Sequence, residues 1–126
     1  PDEIDERTRK VTRPQISRQW TVSPEGMAPV LVTTSVTIGR QPSSDDGPSI
    51  TVPRGEDTVS KRHAVVELIG EVIHVTDLGS ANGTVLVGPH EQVVECPPHV
   101  RTPIPAGFSL ELGDFPVRVD SSGGPE

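Results

Sequence analysis

Three short polar motifs stand where loops are expected to meet strands, and their residue types suit the binding of a phosphate group. In chain order the motifs are Gly39-Arg40, Ser60-Lys61-Arg62-His63 and Asn82-Gly83-Thr84. Arginine offers a planar fork of N–H donors, lysine a compact positive charge and serine a hydroxyl donor, which together match a phosphate dianion. If the three loops share one end of the domain, Arg40, Ser60 and Lys61 form a phosphate site.

Asn82 adds a second function to this candidate site. Its side-chain amide carries donors and an acceptor, so Asn82 can pair with the backbone of an extended ligand rather than with the phosphate. Gly83 permits the backbone angles of a tight turn that directs Asn82 outward. The set therefore suits a phosphate that is attached to a peptide.

A serine-hydrolase interpretation of Ser60, His63 and Asp77 is disfavoured. No Gly-x-Ser-x-Gly elbow is present, and alternation would place Ser60 and His63 on opposite sides of a strand. The single cysteine and the four histidines show no metal-ligand spacing. We therefore expect a binding module with no catalytic residue, no metal and no cofactor.

The elements that position these motifs are short strands. With 14 prolines and 12 glycines, long helices are disfavoured, and apolar alternation predicts the strands. They run over 17–22, 29–32, 35–38, 50–52, 64–69, 72–77, 84–87, 92–95, 100–104, 108–112 and 115–119. About ten or eleven strands without helical periodicity favour an all-β, two-sheet sandwich, in which loops from distant sequence positions meet at one end.

Composition also divides the chain into three parts. Residues 1–18 have mixed charge and no alternation and are predicted to be a flexible leader, residues 19–120 the folded domain, and residues 121–126 a polar tail. The chain begins with Pro1 rather than Met, which suggests a piece of a larger protein. We expect a cytoplasmic location, and a membrane anchor elsewhere in that protein stays open.

Two threonines of the leader are candidate phosphorylation sites. Thr8 follows an acidic stretch that ends in Arg7, and Thr12 lies four residues further on. Acidic residues just upstream of a threonine resemble substrates of bacterial Ser/Thr kinases, although an ordinary linker is the preferred interpretation. A phosphorylated leader could dock into the site of its own chain or into that of a neighbour.

The charge distribution limits the classes of partner. From Gln19 onward there are 14 acidic and six basic residues, yet four of the six basic residues are Arg40, Arg54, Lys61 and Arg62. An acidic body thus carries a local basic spot. The net charge of −7 and only three aromatic residues argue against nucleic-acid binding. No apolar run approaches the roughly 20 residues that cross a bilayer, so we expect no direct membrane contact in this chain.

The three motifs, taken in order, resemble the signature of the forkhead-associated (FHA) domains, and 77–84 is especially similar to that family. The resemblance extends from about Trp20 to Val119. It implies an eleven-stranded, FHA/SMAD-like β-sandwich that binds phosphothreonine peptides in Ser/Thr kinase signalling. It also implies the site residues: Arg40 and Ser60 on the phosphate with help from Lys61, Asn82 on the peptide backbone, and Gly39, His63 and Thr84 as residues that hold loops in place.

Two features depart from the family pattern. Many relatives carry Thr, Arg or Lys where this chain has Ala81, so one side-chain contact to the ligand is missing. The loop 41–49 contains Asp45 and Asp46 and is expected to repel a phosphopeptide or to favour basic residues in it. A phosphate-independent adaptor, which would bind partners through a sheet face or edge, remains the alternative function.

Overall fold

The computed structural model describes residues 18–123, apart from residues 44, 46 and 54. These residues form eleven strands in two sheets, which confirms the predicted all-β sandwich. The strands are β1 (Arg18–Pro24), β2 (Val30–Val32), β3 (Ser35–Gly39), β4 (Ser49–Thr51), β5 (Ala64–Ile69), β6 (Val72–Asp77), β7 (Thr84–Val87), β8 (Val93–Glu95), β9 (Thr102–Pro103), β10 (Ser109–Leu112) and β11 (Phe115–Gly123). Within this part of the chain, no helix is long and apolar enough to cross a bilayer.

The strands pair mostly as antiparallel neighbours. One sheet has five strands in the order β9-β6-β5-β3-β4, and the other has six in the order β2-β1-β11-β10-β7-β8. The pairing of β3 with β4 is parallel. The chain therefore returns along β3 through the connection 40–48 before β4 begins.

One hydrophobic core fills the space between the sheets. In most of the longer strands alternate residues point inward, so that Val66 and Val75 of one sheet and Leu110 and Val117 of the other are fully buried. Burial of each such side chain contributes about 1.5–3 kcal/mol. The core holds the two sheets together and leaves the loops at their ends to carry other functions.

The β5–β6 hairpin matches its predicted bounds. Its connection is Gly70-Glu71, and Gly70 has a φ of +63°, which suits a tight turn between antiparallel strands. Val66 and Val75 face each other directly across this pair.

Some boundaries differ from the prediction. β11 continues to Gly123 and pairs with β1 from Arg18 onward, so both predicted boundaries of the domain lie inside the sheet. The cause is that strand pairing needs only main-chain groups, which polar residues such as Ser121 provide as well as apolar ones. β9 is shorter than expected because residues 97–100 form a turn, in which the Val100 amide donates to the Pro97 carbonyl at 3.3 Å. The candidate sites Thr8 and Thr12 lie outside the described residues.

Strand directions bring the three motifs to one end of the sandwich. β3, β4, β6 and β10 end there, and β5, β7 and β11 begin there. This end, which we call the motif end, carries the described residues 39–41, 52–53, 55–63, 78–83 and 113–114.

Candidate functional site

The first two motifs are joined by main-chain hydrogen bonds. The segment 60–63 continues the β3–β5 pairing beyond the sheet, with the His63 amide donating to the Ile38 carbonyl at 2.9 Å. The Arg40 amide then donates to the Ser60 carbonyl at 3.1 Å, and the Gln41 amide to the Lys61 carbonyl at 3.0 Å. Arg40 and Ser60 are therefore fixed side by side by the backbone alone.

Gly39 allows this close approach. A Cβ atom at position 39 would lie 1.9 Å from the Lys61 carbonyl oxygen and 3.0 Å from the Arg62 Cα. These are main-chain atoms that cannot rotate away, so any larger residue at this position must displace the segment 60–63.

The His63 imidazole connects the second motif to the third. It is fully buried, and its Nδ1 accepts a hydrogen bond from the Ser60 amide at 3.0 Å. Its Nε2 lies 2.9 Å from the Gly83 carbonyl, to which it donates. This pair of contacts requires a neutral ring that is protonated on Nε2. Burial lowers the pKa of His63, and the Gly83 carbonyl and Asp77 oppose that shift only in part.

Asp77 organises the loop that carries the third motif. Its Oδ2 accepts from the amides of Gly79 and Ser80, both at 3.0 Å, and its Oδ1 accepts from the hydroxyls of Ser80 and Thr84 at 2.5 and 2.6 Å. Burial by itself would raise the pKa of Asp77, but these hydrogen bonds together lower it. Sequence reasoning considered Asp77 only as a triad candidate. The signal that it missed was an Asp two residues before Gly79, which is typical of an Asx turn.

Ser60 links the second and third motifs a second time. Its Oγ accepts a hydrogen bond from the Ala81 amide at 3.0 Å. Among the described residues no atom accepts the Ser60 hydroxyl proton, so this O–H can donate to a ligand. The Ala81 contact comes from the main chain and does not depend on the side chain at that position.

The sequence argument that separated Ser60 from His63 is wrong in its geometry. The two residues do not lie in a strand, because β5 begins only at Ala64. They are close in space, but the imidazole contacts the Ser60 amide and not its hydroxyl. The hydrogen bond between nucleophile and base that a hydrolase needs is therefore not formed by this pair.

The side chain of Asn82 is held by the segment that precedes Ser60. The Asn82 Nδ2 donates to the Thr58 carbonyl at 3.0 Å, and the Thr58 hydroxyl accepts from the Asp114 amide at 2.9 Å. The Gly113 amide donates to the Gly83 carbonyl at 3.0 Å, and Gly83 has a φ of +85°. Sequence reasoning missed Thr58, and no motif signals it because one of its two contacts is made by a carbonyl that every residue has.

The positive charge of the site faces solvent. The exposed Arg40 uses its Nε to donate to the Val59 carbonyl. Its two terminal nitrogens and the exposed Lys61 ammonium have no acceptor or ion-pair partner among the described residues. An open depression of about 600 Å³ adjoins Arg40. The neighbouring cation in the sequence, Arg54, lies outside the described residues.

The acidic loop 41–49 runs back along β3 because β3 and β4 are parallel. The Pro48 carbonyl accepts from the Thr37 amide at 3.0 Å, which places the end of the loop two residues back from Gly39. Asp45 is exposed, and its amide donates to the Ser43 hydroxyl at 3.2 Å. Asp46 lies outside the described residues. At the start of the loop, the Gln41 amide donates to the Lys61 carbonyl beside Ser60.

The fold and the loop site together define a β-sandwich interaction module. A model of the FHA domain family matches residues 36–113, which contain all three motifs. The chain therefore belongs to the FHA family, whose members are interaction modules and generally not enzymes. No curated protein shows significant sequence similarity to the chain.

Solved structures of FHA domains share the fold. The FHA domain of human APLF, in complex with an XRCC1 bisphospho peptide, is 20% identical, with 80% of this chain and 96% of that chain covered and a TM-score of 0.61. The FhaA FHA domain complexed with the intracellular domain of Rv3910 is 22% identical, with 80% and 99% covered and a TM-score of 0.60. A domain from a structural and functional analysis of phosphothreonine-dependent FHA interactions is 22% identical, with 80% and 94% covered and a TM-score of 0.59.

The contact between Gly39 and Lys61 gives a first prediction. Gly39→Ala should lower the free energy of unfolding by about 1–3 kcal/mol, because the methyl group overpacks against main-chain atoms. It should also shift the amide NMR signals of 60–63.

The matched control is Gly26→Ala, where φ is +76° and the space around the glycine is open. This control should cost about 1–2 kcal/mol through its backbone angle and leave those signals in place. Unmoved signals of 60–63 in Gly39→Ala would contradict the contact.

The buried His63 gives a prediction about pH. Because its folded-state pKa lies below the usual value of about 6.5, the unfolded chain takes up this proton more readily. The stability from neutral His63 is therefore complete above pH 6.5, and part of it is lost as the pH falls below that value. Denaturant unfolding from pH 7.5 to 5 should show this decline, and the exposed His90→Gln should not alter it. Nitrogen-15 NMR of the imidazoles tests the assignment, and an ordinary pKa at His63 would refute it.

Proposed function

We propose that the chain binds a phosphothreonine-containing segment of a partner protein in Ser/Thr kinase signalling, without catalysis and without a cofactor. The observation that carries this proposal is the fixed position of Arg40 beside Ser60, with donors of both side chains that have no acceptor among the described residues. A cytoplasmic location, where protein kinases act, belongs to the same proposal.

The phosphate is assigned to Arg40, Ser60 and Lys61. The Arg40 Nε is occupied by the Val59 carbonyl, which orients the guanidinium and leaves its terminal nitrogens for phosphate oxygens. Ser60 contributes its O–H, because its lone pair already accepts from the Ala81 amide. Lys61 supplies a further charge from the exposed side of the segment. Charge-assisted hydrogen bonds of this kind are about twice as strong as neutral ones.

The peptide backbone is assigned to Asn82. One hydrogen of its Nδ2 is used by the Thr58 carbonyl, which fixes the orientation of the amide plane. The other N–H and the Oδ1 have no partner among the described residues. They can therefore pair with one carbonyl and one amide of an extended peptide.

The alternative is a phosphate-independent adaptor that binds through the edge of a sheet. One feature favours it: β8 is an edge strand whose Val93 and Val94 are 63% and 43% exposed. Exposed apolar edges attract further strands. The two functions differ in their dependence on phosphate and on Arg40.

Titration of one threonine peptide with and without phosphate tests the proposal. The phosphorylated form should bind more tightly, and Arg40→Ala should weaken it on the order of 10- to 100-fold, since hydrogen bonds to charged groups contribute about 1.5–3 kcal/mol. Ser60→Ala should weaken it less. The matched control is Arg118→Ala, which removes an exposed arginine that pairs with Asp120 on β11.

Isothermal titration calorimetry at fixed ionic strength provides the affinities. Equal affinity for the two peptides, or unchanged affinity in Arg40→Ala, would favour the adaptor and reject phosphate recognition. A loss in Arg118→Ala as large as that in Arg40→Ala would reject the assignment of the phosphate to Arg40.

The same proposal extends to the chain's own leader. β11 begins at the motif end and pairs with Arg18 only at its last residue, so the leader joins the sandwich at the opposite end. Eight residue steps of a strand span about 26 Å. Six steps from Arg18 to Thr12 reach at most about 22 Å, and ten steps to Thr8 about 36 Å. Docking in a neighbouring molecule is therefore favoured for a phosphate on Thr12, whereas one on Thr8 reaches its own site when the chain is extended.

Phosphorylation of Thr12 should accordingly produce dimers or larger assemblies. The full chain carrying Thr8→Ala is treated with a Ser/Thr kinase, checked for phosphate by mass spectrometry and measured by light scattering over a range of concentrations. The mass should rise with concentration, and Arg40→Ala should abolish the rise. A phosphorylated chain that stays monomeric, with unmoved Arg40 and Ser60 amide signals, would exclude self-recognition. Moved signals without assembly would contradict docking in a neighbour.

A further inference from the structure

A second concave surface adjoins the loop that connects β6 to β7. It is a groove of about 360 Å³ between this loop and the segment that follows β8. Its walls include Ala81, Asn82, Val85, Glu95, Cys96 and Pro98. Neither Arg40 nor Ser60 lines it, so the groove is separate from the phosphate contacts.

The groove and the candidate phosphate site meet at Ala81. The amide of Ala81 donates to the Ser60 Oγ at 3.0 Å, and the same residue lines the groove. Ala81 is exposed and carries only a methyl group. An extended ligand that crosses from Ser60 over this loop therefore meets no large side chain before it reaches the groove.

The groove carries an unpaired negative charge. Glu95 is exposed and has no ion-pair partner in the described part of the chain. Glu95 of β8 pairs directly with Val85 of β7, and Val85 pairs on its other side with Glu111 of β10. Two carboxylates thus flank one valine on the same face of the sheet. Adjacent strands lie about 4.8 Å apart, so both carboxylates attract a cation placed over Val85.

The remaining walls are mixed, because Asp77, Ser80 and Thr84 line the groove beside apolar residues. Val85, Cys96 and Pro98 offer contacts to a hydrocarbon chain, and Cys96 is a buried thiol whose pKa is raised by burial and by nearby Asp77, so it adds no charge. Lysine and arginine combine an aliphatic stem with a charged tip, and such side chains pack their stems on apolar surfaces. The groove is at the small end of the roughly 300–1,000 Å³ range of ligand pockets, which suits one inserted side chain.

We propose that this groove, which we call the Glu95 groove, binds a lysine or arginine side chain of the phosphopeptide. The proposal rests on the phosphopeptide function given above and adds a preference to it. The basic residue lies a few positions from the phosphothreonine, because an extended chain advances about 3.3–3.6 Å per residue and the groove begins at the residue that contacts Ser60. Charge complementarity and continuity with the phosphate site support this occupant.

The test is a set of phosphothreonine peptides in an alanine background. Each carries one Lys, Met or Glu at a single position from four before to four after the phosphothreonine, and fluorescence anisotropy gives the affinity. At one position Lys should bind about two- to fivefold more tightly than Met, the range of an exposed ion pair, and Glu should bind more weakly than both. Glu95→Gln should reduce the difference between Lys and Met, because only Glu111 then remains, and Glu95→Lys should reverse the order of Lys and Glu.

The matched control is Glu91→Lys, which makes the same change in net charge at the far turn of the β7–β8 hairpin. It should leave the preference for Lys as it is in the parent chain. If all variants bind phosphorylated peptides but show no position with a preference for Lys, or if Glu91→Lys removes the preference as completely as Glu95→Lys, the groove proposal is wrong and phosphate recognition stands. If binding does not depend on the phosphate at all, the proposed function itself fails.

Discussion

The motif end depends on one buried imidazole. His63 accepts a hydrogen bond from the Ser60 amide on one side of its ring and donates to the Gly83 carbonyl on the other, and both contacts need the same neutral tautomer. The segment that carries Ser60 and the loop that carries Asn82 therefore have a common fixed point. In the low dielectric of the interior such hydrogen bonds are strong, and an unpaired partner would be costly. This arrangement sets the position of Ser60 relative to the loop that carries Asn82.

The exposed side chains are held mostly by main-chain atoms. Arg40 is anchored on the Val59 carbonyl, Ser60 on the Ala81 amide and Asn82 on the Thr58 carbonyl. Each anchor fixes a rotamer before a ligand arrives, which reduces the entropy that binding would otherwise cost. Asp77 plays the corresponding part for the loop between β6 and β7, since four hydrogen bonds converge on its carboxylate. A site built in this way tolerates changes in the anchoring side chains better than changes in the path of the backbone.

This construction also explains what could be predicted from the sequence. The β5–β6 hairpin was predictable to the residue, because alternation and Gly70-Glu71 specify the strands and the turn locally. The motifs around Arg40, Ser60 and Asn82 were visible because their side chains are chemically distinctive. The anchors on the carbonyls of Thr58 and Val59 could not be predicted, because every residue type has the same main-chain carbonyl. The end of β11 was misplaced for a related reason, because Ser121 pairs through its main chain. The start of β9 was misplaced because the turn at 97–100 is closed by main-chain atoms.

The acidic body and the basic spot make opposing contributions to binding. Repulsion between a phosphopeptide and a chain of net charge −7 acts through solvent and is screened over about 8 Å at physiological ionic strength. The exposed Arg40 and Lys61 act on the phosphate at contact distance, where added salt weakens their attraction. Added salt therefore weakens the attraction between the phosphate and the basic residues, and it also screens the repulsion by the acidic body. The net change in affinity is smaller than the number of basic residues suggests. A weak salt dependence is consequently compatible with direct phosphate contact. Variants compared at one ionic strength distinguish the attraction by the basic residues of the site from the repulsion by the acidic body. The same acidic body attracts basic peptides, so net charge already disfavours acidic ligands before any groove is occupied.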